Sequence, residues 1–202
     1  MRKIIGAVFL SLDGVMQAPG GPEEDPSGGF ALGGWIWAYS DDISSEVVRG
    51  YLLGAPYELL LGRKTYEIFA PYWPQISQEN PIAARFNPTA KYVLSSRDLA
   101  PQWHNSHRLP SLEAVRELKA TQGPDLLVQG SSTLYPQLLR AGLLDKLIVQ
   151  TYPVLLGSGK RLFGEGTPPV GLKLVSSAVS TTGVVMATYE PTGQEPVRSS
   201  MP

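Results

Sequence analysis

The chain has 202 residues and no cysteine. That absence removes disulfides, thiolate metal sites and cysteine nucleophiles together, and it suits a reducing compartment such as the cytoplasm. Histidine is scarce, with only His104 and His107. Their H-x-x-H spacing fits a metal pair, but no third ligand stands nearby, and Trp103, Asn105 and Arg108 read as an exposed loop. Excess charge of one sign is also missing. The 17 basic and 18 acidic residues leave a net charge of −1, too weak a field to gather nucleic acid or an anionic membrane. No run approaches the ~20 apolar residues of a membrane span. The apolar run from Ile4 to Leu10 covers seven residues and stops at Ser11-Leu12-Asp13-Gly14 with no small-x-small cleavage site, which suits a first strand better than a signal peptide. There is no repeat, no heptad run and no G-x-S-x-G elbow. Gly157-Ser158-Gly159-Lys160 resembles the end of a phosphate loop, but Val154 and Arg161 occupy the places where that loop needs Gly and Ser or Thr.

What is present points to a globular enzyme-sized domain. Apolar residues make up 43% of the chain, enough to bury a core and to exclude disorder over most of its length. The 21 glycines and 18 prolines imply many turns between short elements, against a helical bundle. One domain over residues 1–190 is expected, with a patternless tail at 191–202. Apolar runs rich in Val, Ile, Leu and Tyr predict strands at 3–10, 57–61, 91–95, 125–129, 146–152, 171–178 and 183–189. Helical spacing predicts helices at 42–53, capped by Ser40 or Asp41, at 111–120, capped by Ser111, and at 132–141, ended by Gly142, with another starting near Lys64. Strands alternating with helices imply an α/β fold with a mostly parallel sheet. Ser180-Thr181-Thr182-Gly183 then predicts an antiparallel hairpin at the C-terminal end. Segment 17–34 carries eight Gly or Pro before Gly34 and reads as a mobile lid or binding loop.

Three turns combine a strand end with donors suited to phosphate. Gly62-Arg63-Lys64-Thr65 opens a helix, where free N–H groups and the dipole favour an anion. Ser95-Ser96-Arg97 places two hydroxyls and a guanidinium after a strand. Gly130-Ser131-Ser132-Thr133-Leu134 again joins strand to helix. Each alone also reads as an ordinary polar turn or helix cap. Together they follow parallel strands and share one sheet edge, where ligands of open α/β sheets bind. The spacing is not G-x-G-x-x-G, so a Rossmann fold is excluded.

Ser11-Leu12-Asp13-Gly14, Gly62-Arg63-Lys64-Thr65-Tyr66, Ser95-Ser96-Arg97, Gln129-Gly130-Ser131-Ser132 and Pro153 to Phe163, in that order, resemble the dihydrofolate reductase superfamily. The nearest branch is the reductase domain of the bifunctional riboflavin-biosynthesis deaminase-reductase. The resemblance covers residues 2 to about 190. It implies a dihydrofolate-reductase-like α/β fold, NADPH as hydride donor, a C=N or C=O bond of a small pterin- or pyrimidine-like substrate, and a homodimer. It also implies that Arg63 and Arg97 lie by the 2′-phosphate, Thr65 and residues 130–134 by the pyrophosphate, and Ala7 by the nicotinamide. The proton source is open among Asp13 at the end of the first strand and Asp41, Asp42 and Glu46 on the first helix. Trp35 and Trp37 either stack on a flat ring or pack in the core. The dimer is expected through the β-rich residues 146–190, with Tyr152, Val154 and Leu155 meeting the partner. A dimeric nucleotide-binding protein without turnover is the alternative.

Overall fold

A computed structural model describes residues 1–100 and 103–193. Eight strands form one sheet: β1 (Ile4–Ser11), β2 (Tyr57–Gly62), β3 (Lys91–Leu94), β4 (Ser106–Leu109), β5 (Asp125–Gln129), β6 (Lys146–Tyr152), β7 (Leu172–Val179) and β8 (Val185–Pro191). Their order is β4-β3-β2-β5-β1-β6-β8-β7. The first six pair in parallel, and β8 returns antiparallel to both β6 and β7. Five helices connect them: α1 (Asp42–Leu53), α2 (Arg63–Tyr72), α3 (Pro81–Phe86), α4 (Leu112–Ala120) and α5 (Leu134–Arg140).

Alternation along the strands decides which face each helix covers. Ile4, Val8 and Leu10 of β1 join Leu126, Val128, Leu147 and Val149 beneath Val115 of α4 and Leu134, Tyr135 and Leu138 of α5. Ala7 points the other way and joins Leu59, Leu61, Val93 and Leu127 beneath α1, α2 and α3. Local chemistry sets the helix ends. Asp41 accepts from the Ser44 N–H and Ser44 Oγ accepts from the Asp41 N–H, a capping box that starts α1. Ser111 caps α4. The predicted helix at 132–141 begins two residues late, at Leu134 with Thr133 as its N-cap, after the left-handed turn at Gly130 and Ser131.

Two elements were not expected. Strand β4 is Ser-His-Arg-Leu, a polar edge strand, and His107 stacks on Tyr92 at 5.4 Å instead of lying in a loop. Helix α3 is capped by Asn80, whose side chain accepts from two backbone N–H groups. The segment at 17–34, read as a mobile lid or binding loop, is bonded to itself and to the body of the protein. Gln17 donates to the carbonyls of Asp25 and Ser27, and the Trp37 indole donates to Gly20 O. Lys160 pairs with Asp25 at 2.5 Å, and Phe30 is buried. Lys160 lies 135 residues from Asp25, a distance that no local pattern registers. Of the expected tail, residues 194–202 lie outside the described residues, while the Thr192 N–H donates to Gly171 O beside the end of β8.

Candidate active site

The parallel strands end together at Ser11, Gly62, Leu94, Leu109, Gln129 and Tyr152. Between β2 and β5 the chain leaves toward opposite faces, into α2 on one and α5 on the other. A divergence of this kind is where open α/β sheets bind their ligands, in the crevice expected outside the carboxyl ends of the strands. The two turns that border it are bonded to each other. The Gly62 N–H donates to Ser131 Oγ at 2.8 Å, and Thr65 Oγ1 shares a 2.8 Å hydrogen bond with the same oxygen.

The approach is so close that side chains are excluded. A Cβ on Gly62 would lie 2.6 Å from Ser131 Oγ, and one on Gly130 2.8 Å from Thr65 Oγ1. Gly130 takes φ +63° without strain, but Ser131 follows at +72°, a left-handed non-glycine residue of the kind that gathers at ligand sites. No side chain caps the N-terminus of α2, so its first N–H groups are free for an anion.

Cations surround this crevice. Arg63 lies 3.4 Å from Ser95 Oγ and pairs with Glu67 at 2.6 Å. Ser95 Oγ accepts from the Arg97 N–H and donates to Arg97 O, which shapes the turn after β3. Ser96, Arg97 and Lys64 are exposed. Arg108, at the end of β4, donates to Ser95 O at 3.3 Å; it was missed because β4 was missed. Leu134 turns its side chain into the core, so only its backbone borders the crevice, while Ser132 and Thr133 stay at least partly accessible. Ala7 is buried mid-sheet, in register with Gln129 and Ile148.

The expected carboxylates are engaged elsewhere. Asp13 accepts from Ser11 Oγ at 2.6 Å and from the N–H groups of Leu156 and Gly157, with Arg161 at 3.4 Å. The Ser11 bond foremost, then the Leu156 N–H, holds its pKa down to about 2, where a general acid has no proton to give. Asp42 and Glu46 point to solvent, the latter paired with Arg49 at 2.9 Å. Asp41 is held well below the usual carboxylate range, first by the Thr181 hydroxyl and then by the Ser44 N–H. The helix face that meets the sheet instead carries Ser44, Val47, Val48, Tyr51 and Leu52. Trp35 is committed to packing: it stands edge-on to Tyr152 at 5.4 Å and donates to Gln17 O. Trp37 is exposed and pins the loop through Gly20.

Two polar residues on this face, Gln129 and Gln150, are both nearly buried; Gln129 entered the sequence reading only as part of a motif, and Gln150 not at all. The signal was present as a polar residue after two similar apolar runs, Leu-Leu-Val-Gln and Leu-Ile-Val-Gln. Among the described residues no group of three His, Asp or Glu is arranged to hold a metal, and no helix is long and apolar enough to cross a membrane.

The sheet order, the antiparallel C-terminal hairpin and the crevice at the carboxyl ends define a dihydrofolate-reductase-like α/β protein, a fold of oxidoreductases. Within that class the assignment narrows: residues 2–186 match the model of the RibD C-terminal domain, and the chain belongs to that family. A relative is the uncharacterized protein YyaP of Bacillus subtilis (strain 168), 26% identical over 199 residues, covering 93% of this chain and 94% of YyaP. Among solved structures, a putative riboflavin biosynthesis protein from Shewanella sp. PV-4 superposes with a TM-score of 0.70 at 19% identity, over 94% of this chain and 99% of that one. Dihydrofolate reductase from Enterococcus faecalis, complexed with NADP(H) and RAB-propyl, gives 0.60 at 17%, over 94% and 96%. At those identities the structures share the fold.

Proposed function

We propose that the chain is an NADPH-dependent reductase acting on a C=N or C=O bond of a small pterin- or pyrimidine-like ring. The observation that carries this reading is the pair of bonded turns at Gly62 and Ser131 on the carboxyl edge of the sheet, with the uncapped N-terminus of α2 beside them and Arg63 next to Ser95. These residues fit a dinucleotide: free N–H groups and Thr65 for the pyrophosphate, Arg63 and Arg97 for a 2′-phosphate, and the small Ala7 where a flat ring would lie on β1. Bound there, NADPH would supply the hydride. The chain's own part is to orient the ring under α1 and to exclude water. With Asp13, Asp42 and Glu46 engaged or turned outward, the proton that completes the reduction comes from solvent.

The proposal includes a homodimer built on β7. This strand closes one edge of the sheet and is exposed along its whole length, including Leu172, Leu174, Val175 and Val179. An unpaired apolar edge of this kind invites a second copy. Tyr152, expected at that contact, is instead 2% exposed within its own core, because it packs against Trp35, Tyr39 and Phe9. Light scattering at micromolar concentration should give twice the chain mass, and Val175→Lys should reduce it to one.

A nucleotide-binding protein without turnover is the second reading, favoured by the engagement of the carboxylates. The deciding assay is NADPH oxidation at 340 nm with a panel of pterins and ribitylamino-type pyrimidines, beside calorimetric titration of NADPH. Binding with turnover supports the reductase, binding without turnover on any panel member supports the alternative, and no binding removes both.

A further inference from the structure

Gln129 and Gln150 sit on the two strands that flank β1. Register places Gln129 beside Ala7 and Gln150 beside Phe9, so both side chains share the face that α1 covers. Strand spacing puts their backbones roughly 10–12 Å apart, the span of a bicyclic ring plus two amide arms. They occupy the seam between two packed clusters: Ala7 and Ile148 belong to one, Phe9 and Tyr152 to the other.

Gln150 is 1% exposed and Gln129 9%. The Nε2 of each has no hydrogen-bond partner. Native folds leave few such groups, and each calls for a physical cause. The Gln150 carbonyl accepts from the Tyr152 hydroxyl at 3.3 Å, which directs the amide nitrogen away from Tyr152. Rotating that amide only exchanges the orphan: Nε2 would then meet the hydroxyl and Oε1 would stand open. One end of the amide is free either way.

The groups around this seam are neutral. Burial, and after it the charge of Asp41, pushes the Tyr152 hydroxyl up to about 12, and burial raises Tyr51 further still. Asp41 itself is occupied, with Ser44 on one oxygen and Thr181 on the other. An amidine-type ring, which binds by gaining a proton, needs a free carboxylate opposite it. A ring with amide-type carbonyls needs N–H donors, and two orphaned NH2 groups supply them.

We infer that Gln129 and Gln150 select the substrate, holding a neutral ring by its carbonyl groups and discriminating against amidine-type rings. The inference rests on the reductase reading and assigns residues that reading did not use. Tyr152 acts through Gln150 as a positioning residue.

The test uses quinazoline-2,4-dione and 2,4-diaminoquinazoline, rings of one shape with opposite edges. Each is titrated calorimetrically into the wild-type protein, with and without saturating NADPH. The dione should bind at least about tenfold more tightly. Gln150→Leu and Gln129→Leu should each weaken the dione about tenfold with NADPH affinity unchanged; the melting temperature should hold for Gln129→Leu and fall for Gln150→Leu, which leaves the buried Tyr152 hydroxyl without its acceptor. Gln150→Glu should move preference toward the diamino ring, and Tyr152→Phe should weaken the dione less than Gln150→Leu does. Equal or tighter binding of the diamino ring to wild type would overturn the inference, as would unchanged dione affinity in both folded leucine variants. Failure of NADPH to bind would count against the reductase reading alone, because the dione arm without cofactor still scores the glutamines. If Gln150→Leu does not fold, Gln129→Leu and Gln150→Glu carry the same comparison.

Discussion

The two ends of the sheet handle polarity in opposite ways. At the amino ends of the strands, charges are closed off. Arg2 is paired with Glu58 and donates to Pro124 O. Lys119 is paired with Asp145 and also donates to Leu143 O, while Asp145 accepts from the Ile4 N–H. Lys91, fully buried, donates to the carbonyls of Asn87 and His104 above the Trp103 ring. At the carboxyl ends, donors stay open: the first turn of α2 is uncapped, Arg97 and Lys64 face solvent, and two glutamine amides lack partners. Buried charge with every partner present marks a seam of the fold. Open donors around a turn strained at Ser131 mark a place for a ligand.

The sharpest way to break this comparison is at the amino end. Asp145→Ala leaves the Lys119 ammonium with one carbonyl and no counter-charge, which should cost about 3 kcal/mol of stability. Thermal melting should show that loss, and NADPH affinity measured below the transition should stay within twofold. A tenfold loss of cofactor affinity would show that the two ends are coupled.

Next in size is Arg63→Ala at the other end. It removes a cation that pairs only with Glu67 one helical turn on, so stability should change by a few tenths of a kcal/mol. NADPH binding should weaken by about 1.5–3 kcal/mol, the worth of hydrogen bonds to a charged group, with NADH almost unaffected. Equal losses for both cofactors by calorimetry would detach Arg63 from the 2′-phosphate.

How legible this was depended on the range of the interactions. Most strands declared themselves through Val, Ile and Leu runs, and the α1 and α4 caps through Asp41 and Ser111. Strand β4 did not, because an edge strand of Ser-His-Arg-Leu carries no apolar run. The three turns at the crevice were visible as glycine or serine after a strand. Their mutual bonding was not, because Gly62 and Ser131 are 69 residues apart. The partners of the acids were hidden for the same reason. Asp13 looks free beside Gly14, but its partners Leu156 and Gly157 come from the other end of the chain. The loop at 17–34 looked mobile from its glycines, while Lys160, remote in sequence, and the nearby Trp37 indole bond to it.

A smaller effect concerns that loop. Lys160→Met removes the partner of a nearly buried Asp25. Burial pushes the Asp25 pKa up, but the bonds from Lys160 and Ser27 outweigh it and leave the carboxyl lowered. Without Lys160, amides of residues 20–34 should exchange hydrogen severalfold faster, with little change in melting temperature. Unchanged exchange would mean that Phe30 and Gln17 hold the loop by themselves.

The smallest effect is the pH dependence from Asp13. Its folded pKa is about 2 against 3.8 for a free carboxyl, so the unfolded chain takes up the proton first as pH falls. The stabilisation is therefore complete above about pH 4 and is lost as pH falls through about 2. Asp13→Asn should flatten the acid limb of the stability curve in that window and leave the neutral region parallel to wild type. An unchanged acid limb would show that Asp13 is not held as an anion.

Hydrogen exchange with and without NADPH tests the division between the two ends most directly. Protection is expected at residues 62–65, 95–97 and 130–134, with no change at residues 2–4, 119–125 and 144–146. Protection confined to the amino ends of the strands, or none at any of these segments with saturating NADPH, would contradict the assignment of the carboxyl-end crevice as the cofactor site.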